Sequence, residues 1–314
     1  THLRFFKEFS DFDMTEVDFT PPPLVSMGFM SKMKLPGKEL PEDANWIVEE
    51  KERITPEAYD KILEIGWDAF FSDFVKNELQ IPEDYLGMVF GTSAQYDPKF
   101  YEAGIPIYTL ALSPGVPLEA LAGGRTMSNF IKELYRMPDK VQAVLDVMLE
   151  SYINQFRGAV NSMPQKPFSI FIGISRGAPE FLSPKLWHRF VEPYMYKIVE
   201  TIVDLGCFAN LHFDSSWDRE LESLKNFPKK KCIFACDHST DIYKIKEVLG
   251  DIMAIKGDVP SPMLAFGTPD EVYNYCTKLI NDIGNGFILA PACTLPANAK
   301  VENVKAMLAA ATGK

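Results

Sequence analysis

The stretch Leu211-His212-Phe213-Asp214 places metal-competent side chains directly after the apolar run Cys207 to Leu211. A buried strand has no use for an imidazole and a carboxylate. Residues two apart on a strand point to the same face, so His212 and Asp214 converge on whatever cleft lies at the strand's C-terminal end. Imidazole nitrogen, carboxylate oxygen and cysteine sulfur are the zinc ligands of proteins, and three of them with an open fourth position make a catalytic site. Cys293, in the turn Pro291-Ala292-Cys293-Thr294-Leu295-Pro296, is a candidate for the third. Each residue also has an ordinary reading, as a packed histidine or as a small buried apolar cysteine.

The elements that must carry these residues follow from periodicity. From Pro106 onward, short apolar or β-branched runs alternate with amphipathic stretches of helical period: Ile107 to Leu112, Phe168 to Ile174, Cys207 to His212, Cys232 to Cys236, Ile252 to Lys256 and Phe287 to Ala290. That alternation is the pattern of a parallel α/β sheet. No glycine-rich dinucleotide loop follows any run, so a (β/α)8 TIM-like barrel fits better than an open sheet. The predicted helices are Arg125 to Arg136, one opening near Pro138, one opening at Ser183-Pro184 and divided at Pro193, and then Asp241 to Leu249, Thr268 to Ile283 and Val301 to Ala311. In a barrel the active site lies at the C-terminal ends of the strands. Polar residues collect there: Ser175, Arg176 and Glu180, then His212, Asp214 and Trp217, then Cys236, Asp237 and His238, then Lys256 and Asp258, and finally Cys293. Cys236-Asp237-His238 is a rival ligand cluster, although adjacent strand residues face opposite ways. Asp237 could orient His212 from behind. Trp217 reads equally as a stacking platform for substrate and as packing.

The first hundred residues are less regular. Pro21-Pro22-Pro23 forbids a regular helix there, and short strands are expected at Leu24 to Phe29 and Trp46 to Glu50. Thr55-Pro56 opens a helix to about Gly66, and Phe70, Phe71 and Phe74 read as core. The whole of 1–314 is expected to be one barrel domain, with an irregular part at 1–103 and regular βα units from 104 to 314. The chain opens without an initiator Met, from which a trimmed N-terminus is expected.

A net charge of -11 argues against nucleic acid as a partner, because that affinity rests on clustered Lys and Arg. No apolar run reaches the ~18 residues of a membrane helix. Five cysteines without framework spacing fit a reducing cytoplasm better than a disulfide scaffold.

Residues 104 to 312 resemble the uroporphyrinogen decarboxylase superfamily, and within it the zinc-dependent methyltransferases that work with corrinoid proteins. The resemblance rests on Phe181-Leu182-Ser183-Pro184 with Phe190-Val191-Glu192-Pro193-Tyr194, and on Leu211-His212-Phe213-Asp214. It continues in Lys256-Gly257-Asp258-Val259-Pro260, in Phe266 through Val272, and in Gly286 through Cys293-Thr294-Leu295-Pro296 to Val304. It implies a (β/α)8 barrel and a Zn2+ ligated by a His-x-Cys pair and a distant Cys, which fall on His212, Asp214 and Cys293. The middle ligand departs from the pattern. The implied activity is transfer of a methyl group from a small donor, such as a methoxy-aromatic, to cobalamin on a partner corrinoid protein. Asp237 and Glu180 are then candidate catalytic groups, with Arg176, Trp217, Lys256 and Asp258 candidates for binding substrate. A homodimer is compatible with all of this. Two alternatives stay open: a uroporphyrinogen decarboxylase, and a barrel that binds without catalysis. The decarboxylase reading is weakened because the mouth offers mainly Arg125, Arg176 and Lys256 as cations against Glu180, Asp214, Asp237 and Asp258.

Overall fold

The computed structural model describes residues 2–16, 21–110, 115–163 and 165–313. Nine strands are present among them: β1 Thr15–Glu16, β2 Met33–Lys34, β3 Ile47–Val48, β4 Ile107–Leu110, β5 Ser169–Ile174, β6 Phe208–Phe213, β7 Cys232–Cys236, β8 Ala254–Val259 and β9 Phe287–Pro291. Seven form one parallel sheet in the order β1-β4-β5-β6-β7-β8-β9, and β2 pairs antiparallel with β3. β6 through β9 follow one another in space as in sequence, the arrangement that right-handed βαβ units produce. Of the expected run to Leu112, Ile107–Leu110 is strand, and residues 111–112 lie outside the described residues.

The sheet curls into a TIM-like barrel wall. Glu16 on β1 accepts hydrogen bonds from Asn210 on β6 and Lys256 on β8, contacts that cross the inside of the curled wall. Among the described residues β9 and β1 share no ladder, so the wall has seven strands where eight were expected. Its first strand comes from the segment read as irregular, because two residues leave no periodicity to find.

The helices lie outside this wall. Pro138–Ser162 buries Val141, Val144, Leu145, Met148, Tyr152 and Phe156 on one face, and Pro184–Phe190 breaks from Glu192–Asp204 next to Pro193, both as expected. Two expectations are corrected. Leu24 to Phe29 is not a strand, since Pro22–Gly28 is a helix whose prolines occupy its first turn, where φ is already suitable and no N–H is needed. Arg125 to Arg136 is not one helix, because Thr126 at φ +68° turns the chain between Pro117–Arg125 and Met127–Arg136. Phe70 and Phe74 are buried and Phe71 stacks on Trp67 at 4.9 Å, which makes them core. Among the described residues no helix is long and apolar enough to cross a membrane.

Candidate metal centre at the barrel mouth

His212 stands near the C-terminal end of β6 and Asp214 just beyond it. Cys293 arrives two residues after β9, three strands round the wall. The chain after β9 stays beside the end of β8, where the Ala292 amide donates to Val259 O at 2.9 Å. The three side chains meet at a single atom, His212 Nε2, with Asp214 Oδ1 at 3.4 Å and Cys293 Sγ at 3.5 Å. The ring is fixed from below by Phe171, stacked at 5.5 Å.

These separations test whether a zinc ion fits. Tetrahedral bonds of about 2.0–2.2 Å to N and O and about 2.3 Å to S put neighbouring donors about 3.4 Å (N to O) and about 3.5 Å (N to S) apart. The donors here are spaced at those values, and all three lie within 4.8 Å of one another. No other such grouping of His, Cys, Asp and Glu occurs among the described residues. The electrostatics point the same way. Burial disfavours the imidazolium, but hydrogen bonding to Asp214 and Cys293 and their charges outweigh it and push the His212 pKa up to about 10. A dication between the three donors would satisfy all of them at once. Cys293 is exposed and Asp214 half-exposed, so the place is open on one side.

A cleft of about 310 Å³ is lined by Met127, Ser175, Arg176, Phe181 and Ser215, the last of these the residue that follows Asp214 in the chain. Its size lies at the small end of the usual range for ligand pockets. Arg176 is held across it, with its guanidinium 4.8 Å above the Phe29 ring and Nη2 donating to Glu50 at 3.2 Å. Phe29 in turn needs Gly123 beside it, since a Cβ there would come within 1.8 Å of Phe29 O. The Arg176 loop is shaped by Glu119, whose carboxylate accepts from Ser175 N, Ser175 Oγ, Arg176 N and Gly177 N at 2.7–3.1 Å.

Other expected site residues lie elsewhere. Trp217 is fully buried, stacked on Phe213 at 3.9 Å and edge-on to Trp187, with its indole N–H donated to Asp214 O. It offers substrate no face. Trp217→Ala is therefore expected to cost about 3–5 kcal/mol, as for other buried aromatics, and urea titration of the folded protein checks it; a loss under about 1 kcal/mol would mean the ring is dispensable to the core. Lys256 is withdrawn into the barrel interior, paired with Glu16 and 5.3 Å above the Tyr108 ring. Burial opposes the charge of Glu16, but Lys256 and the hydrogen bonds from Tyr108 and Asn210 keep its pKa below the usual carboxylate range. Asp258 is turned to His238 Nδ1 and Tyr275 OH, both at 2.8 Å, and Tyr275 sits on the covering helix Pro269–Ile283. Burial pushes its pKa up against the lowering by those two partners.

Asp237 does not orient His212. Its Oδ2 accepts from Ser215 N at 2.8 Å and its Oδ1 from Ser239 N at 2.9 Å. Glu180 likewise accepts from Ser216 N at 3.2 Å. Both carboxylates hold the turn after β6, a task unlike the catalytic one expected. The rival cluster also disperses: Cys236 donates to Lys256 O at 3.4 Å, Asp237 goes to the turn, and His238 goes to Asp258.

Sequence reasoning missed Glu119, Glu16 and Thr240. Glu119 had a signal, since a lone carboxylate among Leu, Ala and Gly in a wholly buried helix must have partners. Glu16 had none.

No curated protein sequence matches the chain at a significant level. Among solved structures, a methyltransferase from Methanosarcina mazei superposes with a TM-score of 0.69 at 17% identity, covering 98% of this chain and 82% of that one, which is a likeness of fold. The model of the family described as uroporphyrinogen decarboxylase (URO-D) matches residues 77–313. The chain belongs to the uroporphyrinogen decarboxylase family.

Proposed function

We propose that this protein is a methyltransferase that moves a methyl group from a small methylated donor, such as a methoxy-aromatic, to cobalamin on a separate corrinoid protein, with Zn2+ held by His212, Asp214 and Cys293. The observation that carries this reading is the meeting of Asp214 Oδ1 and Cys293 Sγ at His212 Nε2, 3.4 and 3.5 Å away, at the catalytic end of the barrel. Bound there, zinc would supply Lewis-acid polarisation of the donor's heteroatom. The chain's own residues supply the rest. A carboxylate where the related methyltransferases have a thiolate makes the donor set harder and favours an ether oxygen over a thiol sulfur. The cleft has room for one ring, with Met127 and Phe181 as apolar walls and Arg176 as a fixed cation. The fold likeness to the Methanosarcina mazei methyltransferase supports the class.

The family's namesake reaction demands several free cations to hold a tetrapyrrole polyacid. Of the three cations expected at the mouth, Arg125 is buried against Glu133 and Glu52, Lys256 is paired with Glu16, and only Arg176 lines the cleft. No turnover of uroporphyrinogen is therefore expected; a rate near about 1 per second, at the low end for enzymes, would reverse the assignment.

Chelator competition tests the ligand set directly. Asp214→Cys is expected to keep or tighten zinc binding, because a thiolate takes over at similar reach, while slowing demethylation of an ether. Asp214→Ala should weaken binding. Equal zinc affinities for the two variants would remove Asp214 from the ligand set.

A further inference from the structure

The turn Asp214 to Trp217 has a property that a free surface loop lacks: each of its four backbone N–H groups is donated to an acceptor on another element. Asp214 N goes to Ile174 O on β5 at 3.0 Å, Ser215 N to Asp237 Oδ2 at 2.8 Å, Ser216 N to Glu180 Oε2 at 3.2 Å, and Trp217 N to Thr240 Oγ1 at 2.9 Å. The Trp217 indole then donates back to Asp214 O at 3.0 Å. Ser215 sits at φ +67°, a left-handed conformation costly for a residue with a Cβ, and such a residue persists only where its surroundings over-determine it. Asp237 is placed to do so, because it is itself locked by Ser239 N at 2.9 Å and Ser239 Oγ at 3.1 Å.

We infer that Asp237 and Thr240, from the loop after β7, are positioning residues for the carboxylate of Asp214. They hold the turn so that Asp214 Oδ1 is presented to the His212–Cys293 pair before any ion arrives. An outer group that aligns a ligand usually changes metal affinity by about 10- to 100-fold when removed. The inference rests on the zinc reading above.

Its test is a double-mutant cycle read by zinc affinity from chelator competition on the purified, folded protein, together with the visible spectrum of the Co2+-substituted form. Asp237→Asn keeps the shape but faces one of the two backbone donors with an amide N–H. It is expected to weaken zinc binding by about 10-fold or more and to alter the Co2+ bands. In an Asp214→Ala background the same change should do almost nothing further, because its effect passes through Asp214. A merely structural role would lower the melting temperature and leave both the affinity of the folded fraction and the Co2+ bands unmoved, which overturns the inference. Equal losses in both backgrounds overturn it too. Should Asp237→Asn not fold, Thr240→Val is expected to reproduce the affinity loss and Thr240→Ser, which keeps the hydroxyl, to restore it; no difference between those two rejects the role. If Asp214→Ala alone leaves zinc affinity intact, the zinc reading itself fails, whereas a loss with Asp214→Ala but none with Asp237→Asn or Thr240→Val removes only the positioning role.

Discussion

His212→Ala is expected to abolish stoichiometric zinc, because the imidazole Nε2 is the atom at which both other donors meet. Protein zinc sites bind with about 10–16 kcal/mol. Divided among three or four ligands, that makes one donor worth roughly 3–4 kcal/mol, or two to three decades of affinity at about 1.4 kcal/mol per tenfold. Cys293→Ser should fall nearly as far, since a serine hydroxyl is a poor substitute for a thiolate. Elemental analysis of the purified wild type and both variants checks this, and full occupancy in either variant, or none in the wild type, would sink the ligand set. The pH dependence has a definite sign. The metal-free His212 holds its proton up to about pH 10, and zinc must displace that proton, so apparent affinity should climb about tenfold per pH unit for each proton released as pH rises from 7 to 9. The same group stabilises the metal-free fold in the opposite sense. Its folded pKa lies above the ordinary value of about 6.5, so that contribution is full below pH 6.5 and is lost as pH rises towards 10. A flat zinc affinity across that range would show that His212 is not the displaced acid.

Arg125→Met is expected to lower stability by about 3–5 kcal/mol, the usual result of removing one partner from a buried ion pair. Arg125 is almost wholly buried at the end of Pro117–Arg125, where it pairs with Glu133 and Glu52 and donates to Ile54 O. Tyr59 OH donates to the other side of Glu133 at 2.6 Å. Without the guanidinium, Glu133 keeps only the phenol as a partner and must be buried charged or take up a proton. Ile54 O also loses its donor. This network ties the segment around Ile54 and Tyr59 to the barrel's outer helices, so the melting temperature should fall by roughly 5–8 °C. Zinc stoichiometry should stay unchanged. A variant of wild-type stability with a raised KM would instead make Arg125 a substrate contact and reopen the decarboxylase reading.

What the sequence determined by itself is what local periodicity and side-chain chemistry encode. The run Cys232–Cys236 is apolar and buried on both faces because a parallel sheet is covered on both, and the helices between the strands show their buried stripes and their opening prolines. The placement of His212 and Asp214 on one face followed from the two-residue period of a strand. Their convergence with Cys293 required the barrel topology, which the family resemblance supplied and the curled wall bears out geometrically. Tertiary structure alone decided the rest, because the fate of a polar side chain depends on partners far away in the chain. Lys256 and Asp258 sit two apart on β8, yet one turns inward to Glu16, 240 residues away, and the other outward to Tyr275. Trp217 follows the metal-competent pair as a substrate platform would, but Phe213 and Trp187 enclose it. Asp237 was legible as a polar residue at a strand end; that it grips the amide of Ser215 and leaves His212 alone is set by the neighbouring-strand contact of β6 with β7, which no local pattern records.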